Sequence, residues 1–257
     1  MKVDFFTRRL QLRHAWTIAR GTAAEKEYNF IRLEKDGIVG LGEAAHNERY
    51  GETLETIAAF LQRARPVLEA CDPSHFYQVG LRLAALPGGQ HAARAGLDIA
   101  LMDWVGQAFG QPLYRLWGLD PQRAPLTSFS IGIDSPQAVA GKIAEAEDMP
   151  VLKVKLGSAE DEAIMAAVRG ATDKVVRVDA NEGWAEREQA LERIQWLATL
   201  GVEFVEQPMP AGRLADVAWL RQRSPLPLVA DEDVKTAADI PALAEAYDGI
   251  NIKVMKA

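Results

Sequence analysis

The second half of the chain alternates short apolar runs with amphipathic stretches. Helical periodicity, for example at residues 186–200 and 236–246, separates the runs, and the unit repeats about every 25 residues. Strands and helices that alternate in this way are typical of a parallel sheet with right-handed crossovers. The pattern fits both a doubly wound sheet and an incomplete (β/α)₈ barrel. Six strands are predicted, at residues 126–133, 151–156, 175–178, 202–205, 226–230 and 250–254.

The first part of the chain has a different pattern, in which strands come first and helices follow. Three strands rich in aromatic and branched residues are predicted at residues 5–12, 28–35 and 38–43. Asp36 and Gly37 predict a hairpin turn between the second and third of these strands. Residues 14–27, which include Arg20 and Gly21, are predicted to form a loop.

Two helices are predicted after these strands, and a change in pattern near residue 125 suggests a domain boundary. Apolar positions recur with helical spacing at residues 53–68 and 91–109, and Gly110 is suited to end the second helix. We therefore predict two domains. Residues 1–124 form an α+β domain with the helix that leads into the barrel, and residues 125–257 form the repeating α/β domain.

Composition narrows the class of protein. The 257 residues are 48% hydrophobic, which is enough for a sizeable core, and the formal net charge is −7. Charges of both signs are mixed along the chain, so a nucleic-acid partner is not expected. No apolar run is long enough to span a membrane, and Cys71, the one cysteine, allows no internal disulfide. A soluble, cytoplasmic protein is expected.

Charged residues end five successive strands of the predicted parallel sheet. Asp179, Glu206 and Asp231 end the third, fourth and fifth runs, whereas Lys155 and Lys253 end the second and sixth. In a parallel barrel all carboxyl ends of the strands open on one face, where active sites are built. Three carboxylates that converge there predict a site for a hard divalent cation, Mg²⁺ with Mn²⁺ as the alternative.

The lysines add an acid–base function to this predicted metal site. Lys153 and Lys155 are two residues apart, so they share one face of their strand. An ammonium beside another cation and a metal should have a lowered pKa, which suits a base near neutral pH. The set therefore predicts removal of a proton from a carbon next to a carboxylate. The metal would stabilise the resulting ene-diolate, and Lys155 and Lys253 would serve opposite faces.

The same residues lie in motifs that resemble the enolase superfamily, in its muconate-lactonising subgroup. These motifs are KVK at 153–155, VDANEGW at 178–184, VEQP at 205–208, ADE at 230–232 and NIK at 251–253. The resemblance covers nearly the whole chain. It implies a TIM-type barrel under an N-terminal capping domain, with Asp179, Glu206 and Asp231 as Mg²⁺ ligands. It also implies that Lys155 and Lys253 are the acid–base pair and that Lys153 is an electrostatic helper.

Within the subgroup the chain is most similar to dipeptide epimerases of the L-Ala-D/L-Glu type. The segments IARG at 18–21, RYGE at 49–52 and TSFSIGI at 127–133 carry this similarity. It implies that the substrate is a dipeptide, a small molecule, and that the α-carbon of its C-terminal residue is epimerised. Arg20, Tyr50 and Thr127 are then expected to bind substrate, and the enzyme is expected to be a homo-oligomer. Asn181 and Glu232 are expected to lie beside the metal ligands.

Two departures from the family pattern qualify these expectations. Some Ala-Glu epimerases have an arginine shortly after the IARG segment, which meets the glutamate side chain of the substrate, whereas this chain has Ala23 and Ala24. A dipeptide with another side chain is therefore an equal expectation. The sequence also stops at Ala257, after the sixth strand. The resemblance implies two more βα units, so a fragment of a longer barrel is expected.

Three alternative functions share these residues. A muconate-type cycloisomerase would use the same metal site and lysines, as would an o-succinylbenzoate synthase or N-acylamino acid racemase. An inactive truncated remnant is the third alternative. The metal site and lysines are common to the epimerase, cycloisomerase and synthase reactions, which the capping loop and the missing C-terminal strands would discriminate.

Overall fold

The computed structural model describes residues 1–256 and begins with a three-stranded sheet. Its strands are β1 (Lys2–Ile18), β2 (Gly21–Lys35) and β3 (Ile38–Ala44), in the order β1-β2-β3. β2 and β3 are antiparallel. Asp36 and Gly37 connect them with φ angles of 54° and 77°, as a two-residue hairpin turn requires. The predicted turn is confirmed.

The loop predicted at residues 14–27 is wrong, because this segment is a hairpin. β1 continues to Ile18 and β2 begins at Gly21, so only Ala19 and Arg20 connect them. Most side chains of the segment are exposed. A strand with water on both faces shows no alternation of apolar and polar residues, which removes the signal that the prediction needs.

In the first part of the chain four helices follow β3, and two of them agree with the sequence prediction. α1 (Leu54–Glu69) begins after Thr53, whose hydroxyl accepts a hydrogen bond from the backbone of Thr56. α3 (His91–Phe109) has the predicted bounds and ends at Gly110 with a φ of 62°. The sequence pattern does not predict the two shorter helices, α2 (Phe76–Ala84) and α4 (Leu113–Leu116).

The second sheet has six parallel strands in consecutive order. They are β4 (Ser128–Ile131), β5 (Val151–Lys155), β6 (Val175–Asp179), β7 (Val202–Glu206), β8 (Leu228–Ala230) and β9 (Gly249–Ile250). A doubly wound sheet would reverse its order partway, so the consecutive order supports the predicted barrel-type arrangement. The predicted strand at 250–254 is too long, because β9 ends at Ile250 and Lys253 lies beyond it.

Helices cover one face of this parallel sheet. They are α5 (Pro136–Glu145), α6 (Asp161–Ala171), α7 (Arg187–Thr199), α8 (Leu214–Arg221) and α9 (Ile240–Leu243). In β5, Leu152 and Val154 are fully buried in the apolar cluster that these helices share. Lys153 and Lys155 alternate with them and therefore point to the other face. The strands thus have an apolar side toward the helices and a charged side away from them.

The chain forms two compact units. The first contains Met1–Gln11, Glu25–Ala124 and Lys253–Ala257, and the second contains Leu12–Ala24 and Pro125–Ile252. The tip of the β1–β2 hairpin thus belongs to the unit with the parallel sheet, and Lys253 belongs to the other. The predicted domains, 1–124 and 125–257, instead place the hairpin tip in the first domain and Lys253 in the second. No helix within residues 1–256 is both long and apolar enough to cross a membrane.

Candidate active site

Three acidic side chains converge at the carboxyl ends of β6, β7 and β8. Asp179, Glu206 and Asp231 each offer a carboxylate oxygen, and these oxygens lie within 4.8 Å of one another. Asp179 and Asp231 are fully buried, and Glu206 is 3% exposed. The pairing of the strands explains the convergence, because Lys155 is level with Asp179 and Asp179 is level with Glu206 across the sheet. The predicted proximity of the three acids is confirmed.

Two lysines of β5 contact this cluster. The ammonium of Lys153 donates to both carboxylate oxygens of Glu206 at 2.7 Å and lies 3.0 Å from Asp179. The ammonium of Lys155 donates to Asp179 at 2.5 Å and is also buried. Asn251 adds a neutral donor, since its side-chain amide donates to Glu206 at 2.8 Å. The cluster therefore contains three acids and two lysines that both contact Asp179, one of which also contacts Glu206.

Burial and crowding shift the protonation of these groups. Burial, together with the nearby charge of Asp179, raises the pKa of Glu206 to about 7, against the opposing effect of Lys153. Burial would also raise the pKa of Asp179, but Lys155 and Lys153 hold it well below its usual range. Burial opposes charge on Lys153 as well, yet Asp179 and Glu206 raise its pKa. The three carboxylates thus carry more negative charge than the two lysines can neutralise.

A buried glutamine fixes the loops after β7 and β8. Gln207 is fully buried, with a φ of 38°. Its side-chain oxygen accepts from the backbone of Asp231 at 3.0 Å and of Asp233 at 3.3 Å. Its side-chain nitrogen lies 2.9 Å from Asp233 and 3.0 Å from the hydroxyl of Tyr247, which itself donates to Asp233 at 2.6 Å. This network holds the backbone of Asp231 in place.

A second buried acid fixes the loop after β5, next to Lys155. Asp161 accepts from the backbone of Gly157 at 2.9 Å and of Ser158 at 2.8 Å, and from the indole of Trp184 at 3.2 Å. These bonds connect the loop after β5 to the loop after β6. Trp184 follows Asp179 by five residues, so the loop that carries Asp179 is anchored as well.

The donor set suits a hard divalent cation. Three buried carboxylates supply the oxygen ligands that Mg²⁺ prefers, and a bound cation would offset the burial and the charge of Asp179 that raise the pKa of Glu206. Asn181 gives independent support. Its side-chain oxygen is buried and has no hydrogen-bond partner among residues 1–256, although its backbone N–H donates to Asp179 at 2.9 Å. These residues fit a bound metal.

The residues expected beside the ligands lie close to them. Asn181 and Glu232 are buried, and the amide of Asn181 is 3.4 Å from the Glu232 carboxylate. Arg20 contacts Glu232 at 2.8 Å and Glu182 at 2.9 Å. These are protein partners, so the expectation that Arg20 binds substrate stays a prediction without support from its contacts.

The other expected site residues lie elsewhere or in the first unit. Thr127 is exposed and precedes β4, so it lies at the amino end of that strand, whereas the acids lie at carboxyl ends. This position does not favour a substrate contact. Tyr50 belongs to the first unit, where its ring lies 5.8 Å from the ammonium of Lys256. Lys253 is also in the first unit and is partly buried. The roles of Tyr50 and Lys253 stay predictions.

Three further residues shape the site. Asn251, Gln207 and Asp161 were not proposed, although Asn251 and Gln207 lie inside the quoted motifs. Each is a polar residue that follows a strand closely in sequence, and this position is the available signal. From this position alone, one cannot tell whether the polar side chain forms a hydrogen bond with a loop or is exposed to solvent.

Two family models match the chain. The mandelate racemase / muconate lactonizing enzyme N-terminal domain matches residues 2–118, and the enolase C-terminal domain-like family matches residues 137–257. The L-Ala-D/L-Glu epimerase of Bacteroides thetaiotaomicron is 40% identical over all of this chain and 67% of that relative. The L-Ala-D/L-amino acid epimerase of Pedosphaera parvula is also 40% identical, over all of this chain and 76% of that relative.

A solved structure agrees with the family models and relatives. The dipeptide epimerase of Enterococcus faecalis, in complex with Mg and the dipeptide L-Leu-L-Tyr, superposes with a TM-score of 0.86 at 31% identity. The match covers 99% of this chain and 74% of that one. The family indicated by the sequence motifs is thereby confirmed.

Proposed function

The chain belongs to the enolase superfamily, and on that premise we propose that it is a Mg²⁺-dependent dipeptide epimerase. The proposed reaction removes the α-proton from the C-terminal residue of a dipeptide and returns a proton to either face. The cluster of Asp179, Glu206 and Asp231 with Lys153 and Lys155 carries this proposal. It combines a site for a divalent cation with a buried amine in direct contact.

The α-proton of a carboxylate is weakly acidic because its removal concentrates charge on the carboxylate. Asp179, Glu206 and Asp231 would hold Mg²⁺, which when bound supplies positive charge to the carboxylate oxygens of the substrate. Lys153 already donates to Glu206, so it would hold that ligand and add a second positive charge. These groups are fixed by the loops before the substrate arrives, which is how electrostatic stabilisation is most effective.

Proton transfer requires one amine on each face of the α-carbon. Lys155, whose ammonium is buried beside Asp179, is proposed as the base or acid on one face. Lys253, which follows the last strand, is proposed for the opposite face on the strength of its place in the sequence. A pair of this kind suits epimerisation, since each amine serves one configuration.

Exchange of solvent deuterium tests the proposal directly. A pool of L,L- and L,D-dipeptides, with charged and uncharged C-terminal side chains, would be incubated in deuterated water with Mg²⁺ or with EDTA. We expect incorporation at the C-terminal α-carbon with Mg²⁺ alone. Lys155→Ala should slow epimerisation by about 10²–10⁴-fold, the range typical of a removed general base.

Two further variants sharpen this experiment. Lys253→Ala should abolish epimerisation but still allow exchange of the configuration that Lys155 faces. Lys142→Ala is the matched control, because Lys142 is a buried lysine paired with Asp134 at 2.9 Å, outside the cluster. A folded protein that binds Mg²⁺ without exchanging any dipeptide would exclude the epimerase and favour the cycloisomerase or synthase reactions.

A further inference from the structure

We propose that Arg20 is a positioning residue that neutralises Glu232 and thereby keeps it out of the metal cluster. This inference rests on the proposed metal site but not on the identity of the substrate. It concerns a guanidinium at the tip of the β1–β2 hairpin, within the unit that holds the parallel sheet.

Arg20 contacts two of the loops that follow the carboxylate strands. One of its terminal nitrogens donates to the carbonyl of Asn181 at 3.0 Å and to Glu182 at 2.9 Å, in the loop after β6. The other lies 2.8 Å from Glu232, in the loop after β8. Glu182 also accepts from the backbone of Ala211, beyond β7, at 2.8 Å. Arg20 is thus connected, directly or through Glu182, to the loops after all three acids.

The backbone around the hairpin tip is fitted to these loops. A Cβ on Gly157 would lie 3.0 Å from Gly183 and 3.2 Å from the side chain of Ala19, the neighbour of Arg20. It would also clash with the carbonyl of Ala180. The backbone N–H of Ile133 donates to the carbonyl of Thr17 at 2.9 Å. The tip therefore has a close-packed seat, which gives Arg20 a defined position.

The charge on Glu232 explains why this position matters. Glu232 directly follows Asp231, and its side chain is only 1% exposed. A buried carboxylate next in sequence to one of the clustered acids is costly unless a cation compensates it. The ADE segment contains two adjacent acids, and the structure groups Asp231 with Asp179 and Glu206. The contact with Arg20 gives Glu232 a different partner, which leaves Asp231 as the ligand.

This role differs from substrate binding in what it predicts for the protein without a dipeptide. If Arg20 acts through Glu232, its loss removes the contact that holds this carboxylate away from the three clustered acids, and Glu232 then disturbs the geometry of the ligand set. Mg²⁺ affinity should then fall even when no substrate is present. If Arg20 binds substrate, its loss should raise KM for dipeptides and leave Mg²⁺ binding unchanged.

The test measures Mg²⁺ affinity by calorimetry on metal-free protein without dipeptide. Arg20→Ala should weaken binding by at least about tenfold, the lower end of the effect typical when a residue that orients the surroundings of a metal site is lost. The double variant Arg20→Ala/Glu232→Gln should recover most of that loss, because no uncompensated acid remains. Arg20→Lys, which keeps the charge, should lose less than Arg20→Ala.

A matched arginine on the same hairpin controls for general effects. Arg9 also contacts two glutamates, Glu25 at 3.3 Å and Glu27 at 3.7 Å, but all three side chains are exposed. Arg9→Ala should leave Mg²⁺ affinity unchanged. Unchanged affinity in Arg20→Ala, or a loss that Glu232→Gln does not recover, would overturn the inference. Wild-type protein that binds no Mg²⁺ would instead overturn the proposed function.

Discussion

The two units bury different chemistry. The core of the first unit is an apolar cluster of side chains from the antiparallel sheet and helices α1 to α3, and its buried polar residues are Asn29, Glu52 and Lys256. The second unit has an apolar cluster too, but it also buries nine polar or charged side chains. These are Lys142, Lys155, Asp161, Asp179, Asn181, Glu206, Gln207, Asp231 and Glu232.

This difference indicates that the residues that serve stability and those that serve activity are concentrated in different parts of the molecule. Buried charges cost free energy unless they are paired, and most of those in the second unit lie at the carboxyl ends of the strands. Residues retained despite that cost are expected to serve function rather than stability. Substitutions should therefore destabilise the first unit through packing. In the second unit they should separate folding from metal binding.

The largest effect is expected where β3 packs on α3 in the first unit. A Cβ at Gly42 would clash with the carbonyl of Gly96 and lie 2.8 Å from the backbone nitrogen of Ala100. Gly42→Val should therefore lower the free energy of unfolding by about 3 kcal/mol or more, because neither backbone can move away. Urea unfolding measures the change. Gly80→Ala in α2 is the control, since a Cβ added there would have no atom within 4 Å, and it should be neutral or stabilising.

The next largest effect is expected at the buried glutamine of the second unit. Gln207→Leu keeps most of the volume but leaves the backbone of Asp231 and the Asp233–Tyr247 pair without their common partner. We expect a loss of about 2–4 kcal/mol in the free energy of unfolding, because buried polar groups become unsatisfied. Mg²⁺ affinity should also fall. Gln62→Leu, on the exposed face of α1, should change neither quantity.

The strand-end acids, helix α3 and Gln207 show how much of the structure could be predicted from the sequence. The acids that end β6, β7 and β8 were placed correctly, because parallel strands bring their carboxyl ends together whatever the loops do. α3 was bounded correctly because its apolar spacing and Gly110 are local signals. The role of Gln207 depends on partners 24 to 40 residues away. No local pattern encodes such a contact.

The β1–β2 hairpin shows a second limit of prediction from the sequence. The sequence predicts a loop at residues 14–27 because exposed strands lack alternation, whereas the resemblance to dipeptide epimerases implies that Arg20 binds substrate. In the structure its partners are Glu182 and Glu232. Motif similarity identified the position, but only the tertiary contacts of the side chain indicate what it does.

A smaller effect, of opposite sign, is expected at Glu206, one of the proposed metal ligands. Burial raises the pKa of Glu206 from an ordinary value of 4.5 to about 7, so its contribution to stability is present below pH 4.5 and is lost as the pH rises through 7. In EDTA at pH 8, Glu206→Gln should therefore be more stable than wild type, by about 1–3 kcal/mol, and this advantage should disappear at pH 4.5. The same variant should bind Mg²⁺ poorly.

Glu203→Gln on the same strand is the control for this prediction. Glu203 is exposed and pairs with Arg177 at 2.5 Å, so its substitution should not produce a gain in stability at pH 8. Thermal unfolding at both pH values measures the difference. A Glu206→Gln variant that is less stable than wild type at pH 8 would show that Glu206 supports the fold rather than the metal site.

The smallest effect is expected at Glu52, the buried acid of the first unit. Burial raises the pKa of Glu52, but the backbone N–H groups of Ala92 and His91, at the start of α3, partly oppose the shift. Its contribution to stability is therefore present at acidic pH and declines as the pH rises above its ordinary value. Glu52→Gln should remove this decline, so its stability relative to wild type should rise between pH 4 and pH 7, by less than at Glu206.

Glu55, three residues later, gives a control of opposite sign. It is exposed, and a hydrogen bond from the hydroxyl of Thr53 lowers its pKa. Its contribution to stability is therefore present at neutral pH and is lost as the pH falls, so Glu55→Gln should lose its small disadvantage in acid. If Glu52→Gln shows the same slope as Glu55→Gln, the Glu52 carboxylate is stabilised rather than strained by its site. The first unit would then tolerate a buried charge better than its apolar core suggests.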